Sequence, residues 1–93
     1  MYRLVSSVFA AVTAITLACA SPAAAEEGAY LDGLQDRYQF LTAQQLVSAG
    51  HRACTLSAAG VLAPDVVATV MDDLAIGLVP AMAIVSDAMR ELC

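Results

Sequence analysis

Apolar residues recur with helical spacing from residue 29 to the C-terminus, and no segment alternates as a strand requires. The first periodic segment is residues 29–39. Leu31, Leu34 and Tyr38 within it and Leu41 just after it form one apolar stripe. Gly33 lies within this segment and weakens a helix by up to about 1 kcal/mol relative to alanine. We therefore predict a first helix that is the least rigid of the chain.

The second predicted helix, residues 42–59, has clear start and stop signals. Thr42 and Gln45 have the spacing of a capping box, and Leu41 can pack on Leu46 as a hydrophobic staple. Gly60 supplies the stop, because glycine readily takes the left-handed conformation that follows a helix. The side predicted to face the core comprises Leu46, Val47, Gly50, Ala53, Cys54 and Ser57.

Two prolines mark the starts of two further helices. Pro64 suits the first position of a third helix, which ends near Gly77, and Pro80 starts a fourth that runs to residue 93. The third is predicted to bury Val67, Val70, Met71, Leu74 and Leu78. The fourth is predicted to bury Ala81, Val85, Ala88, Met89 and Leu92, and to expose Ser86, Asp87, Arg90 and Glu91. Four short amphipathic helices with short connections predict a small, compact all-α bundle.

The N-terminal segment has a different pattern. Arg3 precedes an uncharged run over residues 4–20, and a Ser-Pro break and three alanines follow it, directly before Glu26. This order is that of a secretory signal peptide. We therefore divide the chain into a signal peptide, residues 1–25, and a helical domain, residues 26–93. The predicted location is secreted, extracellular or in the cell envelope.

The processing of this segment has alternatives. Cleavage after Ala25 is expected, with Ala20 as the second choice, because small residues precede both positions. An uncleaved membrane anchor is a further alternative, although a run of 17 uncharged residues is at the short limit for a span. Lipidation of Cys19 is the third, on a poor match to the residues that usually precede such a cysteine.

Charge narrows the classes of partner. Removal of residues 1–25 leaves 68 residues with three arginines, no lysine and nine carboxylates, a formal charge of −6. Such a chain repels phosphate backbones, so nucleic acid is not an expected partner. It also has little electrostatic attraction to anionic lipid, and no stable membrane span is expected after cleavage.

The predicted domain keeps two cysteines, Cys54 and Cys93. Two cysteines in an exported domain usually pair, because the compartment is oxidising. A domain below about 80 residues gains only a few kcal/mol from its core. A bond that closes a loop of this length adds about 4 kcal/mol in the chain-entropy model. The sequence supports this pairing, with two free thiols as the alternative.

Candidate catalytic residues are few. His51 lies three residues before Cys54, where helical side-chain directions differ by about 60°, so we expect a solvated histidine rather than a nucleophile pair. Asp72 and Asp73 diverge by about 100° as helical neighbours, which favours a solvated acidic face. The chain contains none of the common catalytic or phosphate-binding motifs. We expect a non-enzyme without cofactor or metal.

Apolar residues near the Gly-Pro bend suggest two kinds of binding. Ile76 falls on the polar side of the third helix and, with Leu78 and Val79, predicts an exposed apolar patch for a partner protein of the envelope or the host. The alternative is a small carrier of an apolar ligand or lipid between the helices. The methionine content favours it, because methionine repacks readily. The oligomeric state stays open.

Several short motifs resemble one known family. They are "YLDGL" at residues 30–34, "AGHRAC" at residues 49–54, a glycine six residues after that cysteine, and a closing "LC". In this order they resemble the domain of unknown function 732 (DUF732), a family of small exported mycobacterial proteins. The resemblance spans roughly residues 29–93 and implies a helical domain with Cys54 bonded to Cys93. It implies no activity. The chain departs from the family pattern at Ser57, where leucine is usual, and lacks the proline that often follows the last cysteine.

Overall fold

The computed structural model describes residues 22–93, which form four helices and, within that range, no strand. The helices are α1 (Pro22–Leu34), α2 (Ala43–Ala58), α3 (Ala63–Leu74) and α4 (Leu78–Glu91). α2 and α4 form a central pair, and α1 and α3 each pack against both of its members. The predicted all-α bundle is confirmed. The predicted signal peptide lies outside the described residues, except for residues 22–25, which begin α1.

α2 agrees most closely with the sequence. The Thr42 side chain accepts a hydrogen bond from the Gln45 N–H (3.1 Å), and the Gln45 side chain accepts one from the Thr42 N–H (2.9 Å), so the capping box is present. Gly60 has a φ of +89°, the left-handed conformation expected after a helix. Leu46, Gly50 and Ala53 are buried as predicted. Both ends of this helix are therefore encoded locally.

α1 is displaced towards the N-terminus relative to the prediction. It ends at Leu34, and residues 35–37 form a turn in which the Gln35 N–H donates to the Leu31 carbonyl. The predicted stripe still contributes to the core, because Leu34, Tyr38 and Leu41 are buried whether or not they are helical.

The connection from α3 to α4 corrects two predictions. Ala75, not Gly77, ends α3: it takes the left-handed conformation (φ 54°, ψ 50°), and its N–H donates to the Met71 carbonyl. Gly77 instead caps α4, which starts at Leu78. Pro80 is thus the third residue of α4, where a helix has no partner for the backbone N–H that proline lacks.

The core also departs from the predicted faces. Tyr30, Val66 and Ile84 are fully buried although none was assigned to the core. Leu78 (54% exposed) and Met89 (37% exposed) were predicted to be buried and are not. Leu78 lies outward because it opens α4 rather than closing α3. The buried apolar residues are Tyr30, Leu34, Tyr38, Leu41, Leu46, Ala49, Ala53, Val66, Val70, Ala81, Ile84, Val85 and Ala88.

Candidate functional site

The two cysteines of the predicted domain lie at bonding distance. Cys54 is in α2, and Cys93 follows the end of α4; their sulfurs are joined and their Cα atoms are 5.5 Å apart. This separation is ordinary for a disulfide. The bond connects positions 39 residues apart and fastens the C-terminus to the middle of α2, as the sequence predicted.

Beside the disulfide, three helices meet without space for another side chain. The Tyr30 ring of α1 lies against Gly50 of α2: a Cβ added there would be 2.8 Å from the ring carbon Cζ and from the hydroxyl. The same Cβ would be 2.6 Å from Cδ1 of Leu92. The Tyr30 hydroxyl donates to the Leu46 carbonyl at 2.5 Å. We call this region the junction; it comprises Tyr30, Gly50, Cys54, Leu92 and Cys93.

A buried carboxylate adjoins the junction and corrects a further prediction. Asp87 was expected in water but is only 8% exposed. Gly33 allows this, because a Cβ there would lie 3.3 Å from the Asp87 Oδ2 atom, so α1 and α4 approach closely. The Arg90 guanidinium donates to the other carboxylate oxygen. Arg90 lies one turn along the same helix, so it covers the carboxylate and supplies its opposite charge.

The environment of Tyr30 shifts its acidity. Burial of the hydroxyl raises the pKa of Tyr30 well above its ordinary value near 10, and the nearby negative charge of Asp87 raises the pKa further. Both effects favour the neutral phenol, the form that donates to Leu46. The hydroxyl therefore acts as a structural hydrogen-bond donor.

This shift predicts alkaline destabilisation. Above pH 10 the unfolded chain loses a phenol proton that the folded chain retains, so stability falls as pH rises, by up to about 1.4 kcal/mol per pH unit. No lysine titrates in this range, because the chain contains none. Urea unfolding between about pH 8 and pH 11 measures the slope. Tyr30→Phe should remove most of it, whereas Tyr38→Phe should leave it; an unchanged slope in Tyr30→Phe contradicts the assignment.

His51, Asp72 and Asp73 are exposed, as predicted for solvated side chains, and two of the three have a polar partner. His51 Nε2 lies 3.1 Å from a Glu27 oxygen. Arg52 pairs with Asp73 at 2.9 Å, which joins α2 to α3. Within residues 22–93, no three His, Cys, Asp or Glu side chains are grouped closely enough to hold a metal ion.

The residues of the predicted apolar patch separate in the structure. Leu78 and Val79 are exposed, 54% and 70% respectively, but Ile76 is half-buried and packs against the core. The left-handed turn at Ala75 explains this difference, because it redirects the chain after α3 and brings Ile76 back to the bundle.

A groove between α3 and α4 carries an exposed apolar surface. Its volume is about 360 Å³, and it is lined by Ala63, Pro64, Val67, Leu78 and Met82. Met82 is 50% exposed, and Val79 adjoins Leu78 in the first turn of α4. We call this region the apolar groove. Of the predicted patch it contains only Leu78.

A second groove, about 330 Å³, lies between α2 and α3 on the side of the Arg52–Asp73 pair. It is lined mainly by polar side chains, including Gln44, Gln45 and Ser48. The cap already uses Gln45, and the ion pair uses Arg52. Thr42, Gln45, Arg52 and Asp73, four of the residues that line it, therefore already have partners within the domain.

Across residues 22–93, no single helix combines the length and apolar character needed to cross a membrane. The consecutive helices Ala63–Leu74 and Leu78–Glu91 meet those criteria only when taken together, across a bend of 116°.

Sequence reasoning missed most of the apolar groove. The methionine content was interpreted as favouring a ligand cavity between the helices, and Val67 was predicted to be buried, although Met82 and Val67 both line the groove. One signal could have found this surface: Leu78, Met82 and Met89 share one side of an α4 that begins at Leu78. Placing the start at Pro80 concealed that stripe.

Comparison with known protein families identifies the same family that the sequence motifs resemble, and the residues of those motifs meet in the junction. The family model of a protein of unknown function, DUF732, matches residues 25–93. No curated protein and no solved structure matches the chain. The quoted motifs contribute Tyr30, Gly50, Cys54, Leu92 and Cys93, which are all the members of the junction. The chain belongs to the DUF732 family of proteins of unknown function.

Proposed function

We propose that this protein is an exported, non-enzymatic interaction module that binds a partner protein through the apolar groove and the adjacent Val79. The observation that carries the proposal is the groove itself. Five apolar residues line it, and the flanking Val79 is 70% exposed. Apolar side chains concentrated on a small surface mark contact sites more often than scattered single ones do.

Burial of this surface would supply binding energy. Apolar area removed from water contributes about 25 cal/mol per Å². Leu78 and Met82 lie one turn apart on α4, so both can contact one partner segment. An interface with an apolar centre and a neutral or polar rim is the usual arrangement in protein complexes.

The proposed export rests on the N-terminal segment and on the disulfide, which persists in oxidising compartments. The absence of enzymatic activity is proposed from the placement of His51, which pairs with Glu27, and of Cys54, which is held in the disulfide. Within residues 22–93 neither cysteine then has a free thiol that His51 could activate as a nucleophile.

A second candidate is a carrier that holds a lipid chain in the same groove. The lining of Val67, Leu78 and Met82 is chemically suited to an acyl chain. The groove is open to water, however, and an open groove leaves much of a chain exposed. We therefore place the partner protein first.

Photo-crosslinking from residue 79 tests both candidates. A photoreactive amino acid in place of Val79, in cells that produce the protein, is expected to give one discrete adduct whose added mass is that of a protein. The same amino acid at Gln44, an exposed residue of the second groove between α2 and α3, should give none. An added lipid mass supports the carrier. No adduct at residue 79, or equal adducts at both positions, contradicts binding at the groove.

A further inference from the structure

The two halves of the disulfide differ in their exposure to solvent. Cys93 is exposed, whereas Cys54 is half-buried and packs against the core. The Cys54 sulfur lies 3.9 Å from the carbonyl oxygen of Ala88, a fully buried residue of α4. The Cys93 sulfur lies 3.7 Å from the sulfur of Met89, which is itself exposed. Solvent therefore reaches the bond on the Cys93 side.

This difference decides which sulfur an external thiolate can attack. A thiolate approaches a disulfide in line with the S–S bond, so each sulfur is reached from the side opposite to its partner, and access controls the rate. Attack on the Cys93 sulfur comes from the side away from α2, where this residue is exposed. Attack on the Cys54 sulfur would come from the α2 side, where Cys54 is half-buried against the core. Access therefore selects Cys93.

We infer that the Cys93 sulfur is a site of thiol–disulfide exchange in the folded protein, and that its substrate is a dithiol. In the first step a thiolate of the substrate attacks the Cys93 sulfur and forms a mixed disulfide, while the bond to the Cys54 sulfur breaks. Cys54 leaves as a thiolate and takes a proton from water.

The second step requires a dithiol. The Cα atoms of Cys54 and Cys93 are 5.5 Å apart, so the Cys54 thiolate can attack Cys93 again and expel a monothiol. The second thiolate of a dithiol instead attacks the substrate sulfur of the mixed disulfide, and Cys93 leaves as a thiolate that takes a proton. The protein disulfide becomes two thiols, and the dithiol is oxidised to its own disulfide with the transfer of two electrons.

Exchange connects the stability of the domain to the thiols around it. Once the bond is open, only non-covalent contacts hold the segment after α4 against α2, among them the contact of Leu92 beside Gly50. The unfolded chain also gains the freedom of an open loop, which favours unfolding. Neither cysteine lines the apolar groove, so the inference goes beyond the proposed function and does not depend on it.

Reduction by dithiothreitol, a dithiol, at increasing urea tests whether the bond is attacked in the folded protein. Attack on the exposed sulfur needs no unfolding, so the rate should change less than about twofold up to about 1 M urea. Reduction that waits for unfolding should accelerate at least about fivefold per molar urea, because urea shifts the folding equilibrium by that factor. Free thiols are alkylated at timed intervals and counted by intact mass. An acceleration of the larger size overturns the inference.

A destabilised variant provides a second test without urea. Val66 is fully buried in α3, which carries neither cysteine, so Val66→Ala should destabilise the fold from a distance. Reduction in the folded state should then keep its rate within about twofold, whereas reduction through unfolding should become about tenfold faster. The matched control Val79→Ala truncates an exposed valine and should change neither stability nor rate. A faster reduction of Val66→Ala alone overturns the inference, and the urea series decides if this variant does not fold.

Glutathione, a monothiol, shows which sulfur is attacked. N-ethylmaleimide blocks the free thiols at timed intervals, and fragmentation of the intact protein in the mass spectrometer locates both adducts. Extrapolated to zero time, before Cys54 can take glutathione from Cys93, the glutathione should be on Cys93 in at least about tenfold excess over Cys54. An equal or reversed distribution overturns the assignment of Cys93.

The same two reagents test the requirement for a dithiol. Dithiothreitol should convert the protein completely to two thiols. Glutathione at the same thiol concentration should leave most of the Cys54–Cys93 bond intact, because Cys54 reverses the first step. Complete reduction by glutathione shows that a monothiol suffices and overturns the dithiol as the substrate.

Discussion

Replacing Cys93 by serine is expected to lower the free energy of unfolding by about 4 kcal/mol. The disulfide joins positions 39 residues apart, so its loss frees a long loop in the unfolded chain. In a domain of this size, such a change corresponds to a fall in Tm of roughly 15–30 °C. The folded state also loses an anchor, because the bond at Cys93 holds the preceding residue, Leu92, against Gly50 in the junction. Thermal unfolding followed by circular dichroism measures the change.

Matched variants show whether the effect comes from the bond. Cys54→Ser and the double serine variant should lower Tm as much as Cys93→Ser, because all three lack the same disulfide. Reductant should lower the Tm of the unchanged protein to a similar value and raise its intact mass by two hydrogens. A Tm that neither reduction nor substitution changes would show that the disulfide does not hold the fold.

Replacing Gly50 by alanine is expected to destabilise the protein by about 1–2 kcal/mol. Alanine has the higher helix propensity, which favours it by up to about 1 kcal/mol. Its Cβ would nevertheless lie within 2.8 Å of the Tyr30 ring and 2.6 Å of Leu92. Leu92 can rotate away, but the ring is fixed by its hydrogen bond to Leu46. Overpacking of this kind costs about 1–3 kcal/mol, so the steric cost exceeds the gain.

Two comparisons test this explanation by urea unfolding. Gly28→Ala is the matched control in α1: no atom lies within 4 Å of the added Cβ, so this variant should be stabilised by up to about 1 kcal/mol. Tyr30→Leu removes the ring carbon and hydroxyl that meet the Cβ. In that background Gly50→Ala should become neutral or stabilising. If Gly50→Ala costs the same with and without the Tyr30 ring, close packing at the junction is not the cause.

Local signals made α2 the most predictable element. Its capping box and its stop at Gly60 depend on residues within the helix or next to it. The fold class followed from helical periodicity, and the disulfide partner from the number of cysteines left in the predicted domain. The resemblance to the family implied the same bond.

The features that the sequence did not predict depend on contacts between helices. Asp87 is a charged residue on a face assigned to water, and its burial requires Gly33 on α1 and Arg90 above it. Ile76 returns to the core because Ala75, a residue with no evident turn signal, takes a left-handed conformation. The predicted start of α4 at Pro80 left Leu78 outside that helix, which hid the apolar groove that Leu78 and Met82 line together.

The junction and the apolar groove have different roles in the protein. The motifs that resemble the family form the junction, where α1, α2 and the C-terminus are held together. The groove lies between α3 and α4 and uses none of the quoted motif residues. Family membership therefore concerns the scaffold, and the proposed binding concerns a surface that the scaffold supports.

Photo-crosslinking from residue 79 tests this division between junction and groove most directly. The adduct is compared in chains that carry either Leu78→Glu or Gly50→Ala. Leu78→Glu changes an exposed residue at the start of α4, where a carboxylate suits the helix terminus, so Tm should change little. We predict that it abolishes the adduct. Gly50→Ala should lower Tm and leave the adduct intact at temperatures where the chain is folded. An adduct that survives Leu78→Glu, or is lost in folded Gly50→Ala, would contradict binding at the apolar groove.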